Sequence, residues 1–255
     1  MGVLNPVYQA LTFLNDALTA VLPDLACVVV WGVLSGSAAM ALYALLSNQP
    51  RIRATKRELR DIRLELKAEG EAGGSEVMTV ALKNLRVSFR LLGQVIGPGT
   101  VSGLPVLLVA WWMSWAYGYD HPAAGEYLEI AASPAGATLR IDDPKADETG
   151  EGILRAPWQP GRSDIAIWSS KDLIYTLKPS QKAVREVSTF NWWNHLLVDP
   201  QGYLAEGSSI TRLRFDVEHR LLIPGAPDYL ATWEVAYFAA LVLWSLLLKF
   251  GLRIE

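Results

Sequence analysis

Three long apolar segments constrain this chain more than any other feature of its sequence. Residues 25–46 and 101–119 contain no charged side chain, and residues 229–248 contain only Glu234. A helix of about twenty apolar residues matches the thickness of the hydrocarbon core of a bilayer. The sequence therefore predicts three transmembrane helices, and the charged stretches between them predict regions that lie in water.

The composition agrees with a protein that is part membrane and part soluble. Of the 255 residues, 51% are hydrophobic, which is high for a soluble enzyme, while 19% are charged, which is too many for a bundle lying wholly in lipid. The one cysteine, Cys27, excludes an internal disulfide and a cysteine-based metal cluster. The net charge of −3 provides no general attraction to nucleic acid, so we expect no specific DNA binding.

The distribution of lysine and arginine predicts the orientation. Residues 1–24 contain no basic side chain, the connection between the first two spans contains ten, and the C-terminal tail contains Lys249 and Arg253. Basic residues accumulate on the cytosolic side of membrane proteins. The sequence predicts a multi-pass protein of the cytoplasmic membrane of a prokaryote, with the N-terminus outside and the first connection and C-terminus inside.

Residues 1–24 have an apolar spacing of their own, at Val7, Leu11, Leu14 and Leu18. They lack the basic start of a cleavable signal, and the apolar segment that follows is too long for one. We interpret them as an external interfacial leader that lies on the membrane surface.

Residues 47–97 predict two helices joined by a glycine turn in "EGEAGGSE". In the first helix the apolar residues are Ile52, Leu59, Ile62 and Leu66. In the second they alternate at spacings of four and three: Met78, Leu82, Leu85, Phe89, Leu92 and Ile96. The two stripes predict an antiparallel coiled-coil hairpin in the cytosol. The alternative is a solvated spacer whose charges only fix the topology.

Two further patterns complete the predicted organisation. The "GPG" at 97–99, followed by Pro105, predicts a helix break where the chain enters the membrane. Short alternating runs between Pro, Gly and Asp turns in 120–228 predict a small external β-sandwich, with Leu213 and Phe215 on one face of a strand. The predicted regions are leader 1–24, span 25–46, hairpin 47–97, span 98–119, β-rich domain 120–228, span 229–249 and tail 250–255.

This layout resembles the three-helix core of the YidC/Oxa/Alb membrane-insertase superfamily, especially the minimal archaeal YidC-like proteins and the ER insertase subunits. The resemblance covers 25–119 and 229–253, and it rests on the layout together with "NQPRIRATKRELRDIRLELKAEGEAGGSEV" and "LLGQVIGPGTVSGLPVLL". Bacterial YidC carries its external β-domain before the core, whereas residues 120–228 lie between the second and third spans, so we interpret this domain as an insertion. The resemblance implies a non-enzymatic insertase or chaperone without a cofactor, whose partners are the bilayer, newly made membrane proteins, and a ribosome or another membrane subunit.

The resemblance also implies a polar groove that lowers the cost of moving hydrophilic flanks across the bilayer. The polar residues of the three spans and the mouth of the second are the candidate groove residues: Ser35, Ser37, Arg90, Gln94, Thr100, Ser102, Ser114, Thr232 and Ser245. For each hydroxyl taken alone, bonding to its own helix is the alternative. Family members commonly place a basic residue on the first core helix, where this chain has none, and Arg90 is the available substitute. The candidate contacts of the hairpin with a client or ribosome are Arg57, Arg60 and Arg63.

The predicted β-rich domain offers no catalytic signature. Its histidines, His121, His195 and His219, lack metalloprotease spacing, and its acidic stretch "DDPKADETGEGI" lacks the ligand register of a calcium loop. We therefore expect no catalytic or metal site. The segment "FNWWNHLLVDPQGYL" is interpreted as an amphipathic segment on the outer leaflet, with sugar or peptide stacking as the alternative. The alternative function for the whole chain is a membrane-anchored scaffold or assembly factor whose β-domain binds one partner.

Overall fold

The computed structural model describes residues 4–72, 77–141, 146–148, 152–161, 164–169, 172–192 and 202–251. Within these residues the chain is mostly helical, with a smaller region of antiparallel sheet. Its contacts form two compact units. One, called here the sheet unit, comprises Met1–Cys27 and Trp111–Val235, and the other, the hairpin unit, comprises Val28–Ala110 and Ala236–Glu255.

Six helices have both ends within the described residues. They are α1 (Asn5–Thr19), α2 (Asp24–Leu46), α3 (Gln49–Ala72), α4 (Val77–Tyr117), α5 (Asp228–Ala231) and α6 (Trp233–Gly251). Three of them, α2, α4 and α6, are long and apolar enough to cross a membrane, so the predicted number of long apolar helices is confirmed. The third begins at Trp233 rather than 229, because extended backbone at Thr232 separates it from α5.

The second span is part of one uninterrupted helix. α4 continues through Pro98 and Pro105 for 41 residues, so the predicted break at "GPG" is wrong. Each proline removes only one amide donor, and the rest of the hydrogen-bond ladder of a long helix keeps its direction. At 1.5 Å per residue, α4 is about 60 Å long, twice the thickness of a hydrocarbon core.

The described strands form two antiparallel sheets. The eight strands are β1 (Tyr127–Ser133), β2 (Leu139–Ile141), β3 (Asp147–Glu148), β4 (Ile153–Pro157), β5 (Ile165–Ser169), β6 (Asp172–Leu177), β7 (Glu186–Ser188) and β8 (Arg212–Phe215). The first sheet has the order β3-β4-β1-β8-β7, and the second has the order β2-β5-β6.

Both sheets contribute to a single apolar core. In the first sheet Ile130 pairs with Leu154 on one side and Phe215 on the other, and all three side chains are buried. Ile167, from the second sheet, is fully buried in the same cluster. The predicted alternation in β8 is confirmed, since Leu213 and Phe215 are buried while Arg212 and Arg214, which alternate with them, are exposed.

In the sheet unit, the polar side of α1 contacts the C-terminal end of α4. The hydroxyl of Tyr117 donates to Asn15 Oδ1 at 2.7 Å, and the indole N–H of Trp112 donates to Thr12 at 3.1 Å. Burial raises the pKa of the Tyr8 phenol above its ordinary value. Phe13 is 74% exposed on the opposite side. An outward apolar face with an inward polar face is the pattern expected of a helix in contact with lipid.

In the hairpin unit, α3 and α4 pack against each other in antiparallel directions. Leu59 and Ile62 of α3 form a buried cluster with Val80 and Val87 of α4. The ion pairs of this helix pair run in opposite order along the two helices: Lys83 with Glu65 at 3.3 Å and Arg90 with Glu58 at 3.1 Å. The predicted apolar stripe of α3 is therefore confirmed.

The predicted contact face of α4 is wrong. The side chains expected to meet α3 are 50–71% exposed: Met78, Leu82, Leu85, Phe89, Leu92 and Ile96. Val80 and Val87, which do meet α3, lie about half a turn away from them on the helix. α4 thus has two apolar faces, and the longer one, called here the α4 stripe, is the one that does not contact α3.

The spans α2 and α6 approach closely at two glycines. A Cβ atom on Gly32 would lie 2.8 Å from the carbonyl oxygen of Tyr237, and one on Gly36 would lie 3.0 Å from Ser245 Oγ. Small residues four apart let helix backbones approach in this way. Gly32 and Gly36 therefore form an internal packing surface between α2 and α6.

Candidate functional site

The nine candidate groove residues do not all belong to one unit. Ser114 and Thr232 belong to the sheet unit, whereas the other seven belong to the hairpin unit. Of these two, Ser114 is exposed and donates to the carbonyl oxygen of Trp111 at 2.6 Å, and Thr232 is the extended residue between α5 and α6. The candidate site is therefore described within the hairpin unit.

The hydroxyls of α2 lie in the packing between helices. Ser37 donates to the carbonyl oxygen of Val33 at 2.8 Å and accepts the indole N–H of Trp244 from α6 at 2.8 Å. Ser35 is buried at 3% exposure. On α6, Ser245 is partly buried and faces Gly36. The Ser37 hydroxyl therefore joins α2 to α6, whereas the Ser35 oxygen is buried without a hydrogen-bond partner among the described residues.

Two hydroxyls of α4 bond to their own helix. Thr100 is exposed and donates to the carbonyl oxygen of Ile96 at 2.9 Å. Ser102 is buried and donates to the carbonyl oxygen of Gly99 at 2.9 Å. Such bonds let a serine or threonine sit in an apolar helix at little cost, and they are the alternative that the sequence left open.

Arg90 and Gln94 lie one turn apart on α4, in different surroundings. The Arg90 side chain is 49% exposed and forms its ion pair with Glu58 of α3. Gln94 is partly buried, and both its amide oxygen and its amide nitrogen are buried with no hydrogen-bond partner among the described residues. A buried amide without a partner costs about 1–3 kcal/mol, so water is the expected partner of Gln94.

Gln94 belongs to the same side of α4 as Val80 and Val87, since positions 80, 87 and 94 are seven residues apart. That side packs on α3. At the matching end of α3, Ile52 is 1% exposed and Thr55 is 4% exposed, with the Thr55 hydroxyl donating to the carbonyl oxygen of Arg51. The polar amide is thus located on the inner side of the helix pair, near the end that leads into the span.

The three arginines predicted to contact a client or ribosome all lie at the surface. Arg57, Arg60 and Arg63 are exposed on α3. Their guanidinium groups are available to solvent and to a partner carrying carboxylates or phosphates.

A tyrosine that the sequence did not single out links two spans. Tyr237 of α6 is fully buried, and its hydroxyl donates to the carbonyl oxygen of Val106 in α4 at 3.2 Å. Val106 directly follows Pro105 in the chain. The signal in the sequence was a phenol in the middle of an apolar span, where burial normally requires a hydrogen-bond partner.

Within the sheet unit, two of the predicted histidines take part in stacking. His121 stacks on Trp158 with ring centroids 4.3 Å apart, and His219 lies 4.8 Å from the ring of Tyr119. They border a cavity that is also lined by four carboxylates, Asp120, Glu126, Asp216 and Glu218. Among the residues that the structure describes, no cluster of histidine, cysteine or carboxylate side chains has the arrangement of a metal site.

Arg220 joins the parts of the sheet unit that come from different places in the chain. Its guanidinium pairs with Asp24 at the start of α2 and with Asp120 at 3.5 Å, and it lies 5.7 Å from the ring centre of Tyr117. His195 and most of the segment 190–204 fall outside the described residues, as do the acidic residues at 142–145 and 149–151.

Comparison with known proteins adds no assignment. No family model, no curated protein and no solved structure matches the chain.

Proposed function

We propose that this membrane protein is a YidC-like insertase or chaperone that helps hydrophobic segments enter the bilayer without covalent chemistry. The single observation that carries the proposal is the buried, unpartnered amide of Gln94 near the start of the second span. A hydrated recess at that point satisfies the amide. The same water lowers the cost of moving the polar flank of an incoming segment toward the bilayer.

The layout of basic residues supports a cytosolic location for this recess. The stretch between the first two spans carries ten lysines and arginines, and the region between the second and third spans belongs on the opposite side, since α4 crosses the membrane once. In the proposed orientation, α3 and the first half of α4 lie in the cytosol of a prokaryote. Arg57, Arg60 and Arg63 then face the compartment in which ribosomes and newly made membrane proteins are found.

The proposal is tested by replacing Gln94 with leucine. Reconstituted Gln94→Leu protein is expected to insert a client with a polar translocated tail about tenfold more slowly, which corresponds to about 1.4 kcal/mol. A client with an apolar tail is affected less. The matched control is Thr100→Val, which removes a predicted groove hydroxyl that bonds only to its own helix. Equal insertion rates for Gln94→Leu and the unsubstituted protein with both clients contradict the proposal.

Hydration of the recess is measured independently of insertion. In a Gln94→Cys variant, a small water-soluble thiol reagent is expected to modify position 94 much faster than Cys27, which is fully buried in the same chain. A thiol at 94 that reacts no faster than Cys27 means that the recess is dry, and the amide of Gln94 then supports no groove.

A second candidate function is a membrane-anchored scaffold whose β-rich domain binds one dedicated partner. The observation that favours it is that the groove hydroxyls of Ser37, Thr100 and Ser102 are occupied within or between helices. The sheet unit also has its own core and exposes aromatic side chains, with Trp192 62% and Tyr127 58% exposed. A scaffold inserts no client in proteoliposomes, whatever the residue at 94.

A further inference from the structure

The α4 stripe is a long apolar surface outside the hydrocarbon. Its six side chains are 50–71% exposed, and none of them belongs to the buried clusters of the described residues. The same stretch of helix carries Lys83, Arg86 and Arg90, and three basic side chains within eight residues place it in water. A continuous apolar stripe in water marks an interaction surface.

The stripe follows a strict heptad pattern that continues into the span. Its residues alternate at spacings of four and three, which are the a and d positions of a coiled coil. After Ile96 the next two positions in this register are Gly99 and Gly103. A Cβ atom at either glycine would meet no atom within 4 Å. The register therefore passes without interruption from large apolar side chains to a small-xxx-small pair, the feature that lets helices approach closely in lipid.

We infer that this face binds a second copy of the chain, through a parallel coiled coil of two α4 helices. Two copies in one membrane have the same orientation and depth, so equivalent residues of their α4 helices lie at the same height. A seam from Met78 to Gly103 is about 38 Å long. It buries on the order of the 800 Å² per partner that stable interfaces use. A client moving into the bilayer has no fixed register along such a seam, whereas a second copy has.

The charges beside the seam agree with self-association. In a parallel coiled coil the g position of one helix faces the e position of the other. The e positions are Thr79, Arg86 and Gly93, and the g positions are Ala81, Ser88 and Val95. Arg86 therefore meets Ala81 of the other copy, and no two like charges face each other. Lys83 and Arg90 point to the ion pairs with α3 instead.

Cysteine cross-linking tests the seam on the full-length protein in lipid vesicles. In a Cys27→Ser background, Leu85→Cys and Phe89→Cys are each expected to form a disulfide-linked dimer on mild oxidation. The matched control is Leu64→Cys on α3, because Leu64 is 64% exposed and Phe89 is 63% exposed. No dimer at 85 and 89, or as much dimer at 64 as at 89, overturns the inference.

Glycine substitution tests the membrane part of the seam. Gly103→Leu is expected to weaken the dimer at least tenfold, measured by energy transfer between labelled copies at increasing dilution in lipid. Gly97→Leu is the matched control, since a Cβ at Gly97 also meets no atom within 4 Å but position 97 lies off the a and d register. Both variants keep the single chain intact, because neither side chain has an internal neighbour to displace.

Three outcomes overturn the inference: a wild-type protein that shows no energy transfer, equal effects of the two glycine substitutions, or a seam that cross-links only to an added apolar peptide. The inference does not depend on insertion, since the dimer is measured without a client. Loss of the dimer in Gly103→Leu and loss of insertion in Gln94→Leu are separate results.

Discussion

At the scale of single residues, α2 and α6 pack closely because Gly32 and Gly36 have a hydrogen atom where other residues have a Cβ. Where Gly32 lies against Tyr237 and Ala240, a Cβ would be 2.8 Å from backbone oxygen and 2.9 Å from the Ala240 methyl group. Neither neighbour is the flexible end of a long side chain. A larger residue at 32 therefore has to push the two helices apart, and the nearby bond between Trp244 and Ser37 depends on the same separation.

Gly32→Leu is accordingly expected to destabilise the protein by about 2 kcal/mol or more, the usual cost of overpacking a well-packed interior. The measurement is thermal unfolding in detergent, with a lowered midpoint as the expected result. Gly97→Leu, at an open position, is the control and keeps the wild-type midpoint. An unchanged midpoint for Gly32→Leu contradicts close packing of α2 on α6.

At the scale of elements, the helix pair shows what a sequence pattern can and cannot predict. The apolar stripe of α3 was readable because it is the only apolar face of a strongly charged helix. α4 has two such faces, and the stronger heptad pattern belongs to the face that does not meet α3. The face that α3 does use, with Val80 and Val87, consists of smaller side chains interrupted by charge. Which face turns inward depends on the connection and the ion pairs, and single-chain periodicity does not report these.

The two faces of α4 predict opposite results for one substitution. Val87→Asp places a carboxylate in the buried cluster with Leu59 and Ile62, at an expected cost of about 3 kcal/mol. Leu85→Asp places the same group on the exposed face and leaves the helix pair intact. Amide hydrogen exchange in α3 is the measurement, and faster exchange is expected in Val87→Asp only. Faster exchange in Leu85→Asp as well means that the stripe, rather than the Val87 face, holds α3.

The candidate groove was less predictable than the elements that carry it. Polar residues in apolar helices can be found by inspection, but their bonding cannot. The Ser37 hydroxyl accepts a hydrogen bond from a tryptophan 207 positions further along the chain, whereas the Thr100 hydroxyl donates to the backbone of its own helix. Gln94 differs because both polar atoms of its amide are buried without a partner among the described residues, and this appears only once the packing around it is known.

At the scale of the whole molecule, the proposed topology follows from three helices that are long and apolar enough to cross a membrane. In the proposed orientation, α4 crosses the membrane once, with the α3–α4 pair on the cytosolic side and the β-rich region outside. The basic residues decide which side is which. They crowd into the connection between the first two spans, so the orientation with this connection in the cytosol is favoured.

Impermeant thiol labelling of sealed cells tests this orientation in a Cys27→Ser background. Leu64→Cys, on an exposed site of α3, is expected to react only after the cells are opened, whereas Tyr127→Cys, on an exposed site of β1, reacts in intact cells. The two positions are similarly exposed, at 64% and 58%, so a difference in labelling reports sidedness rather than burial. Reaction of Leu64→Cys alone in intact cells means that the basic residues do not set the topology. Reaction of both thiols from outside contradicts the crossing by α4 and, with it, a recess at Gln94 that is open to the cytosol.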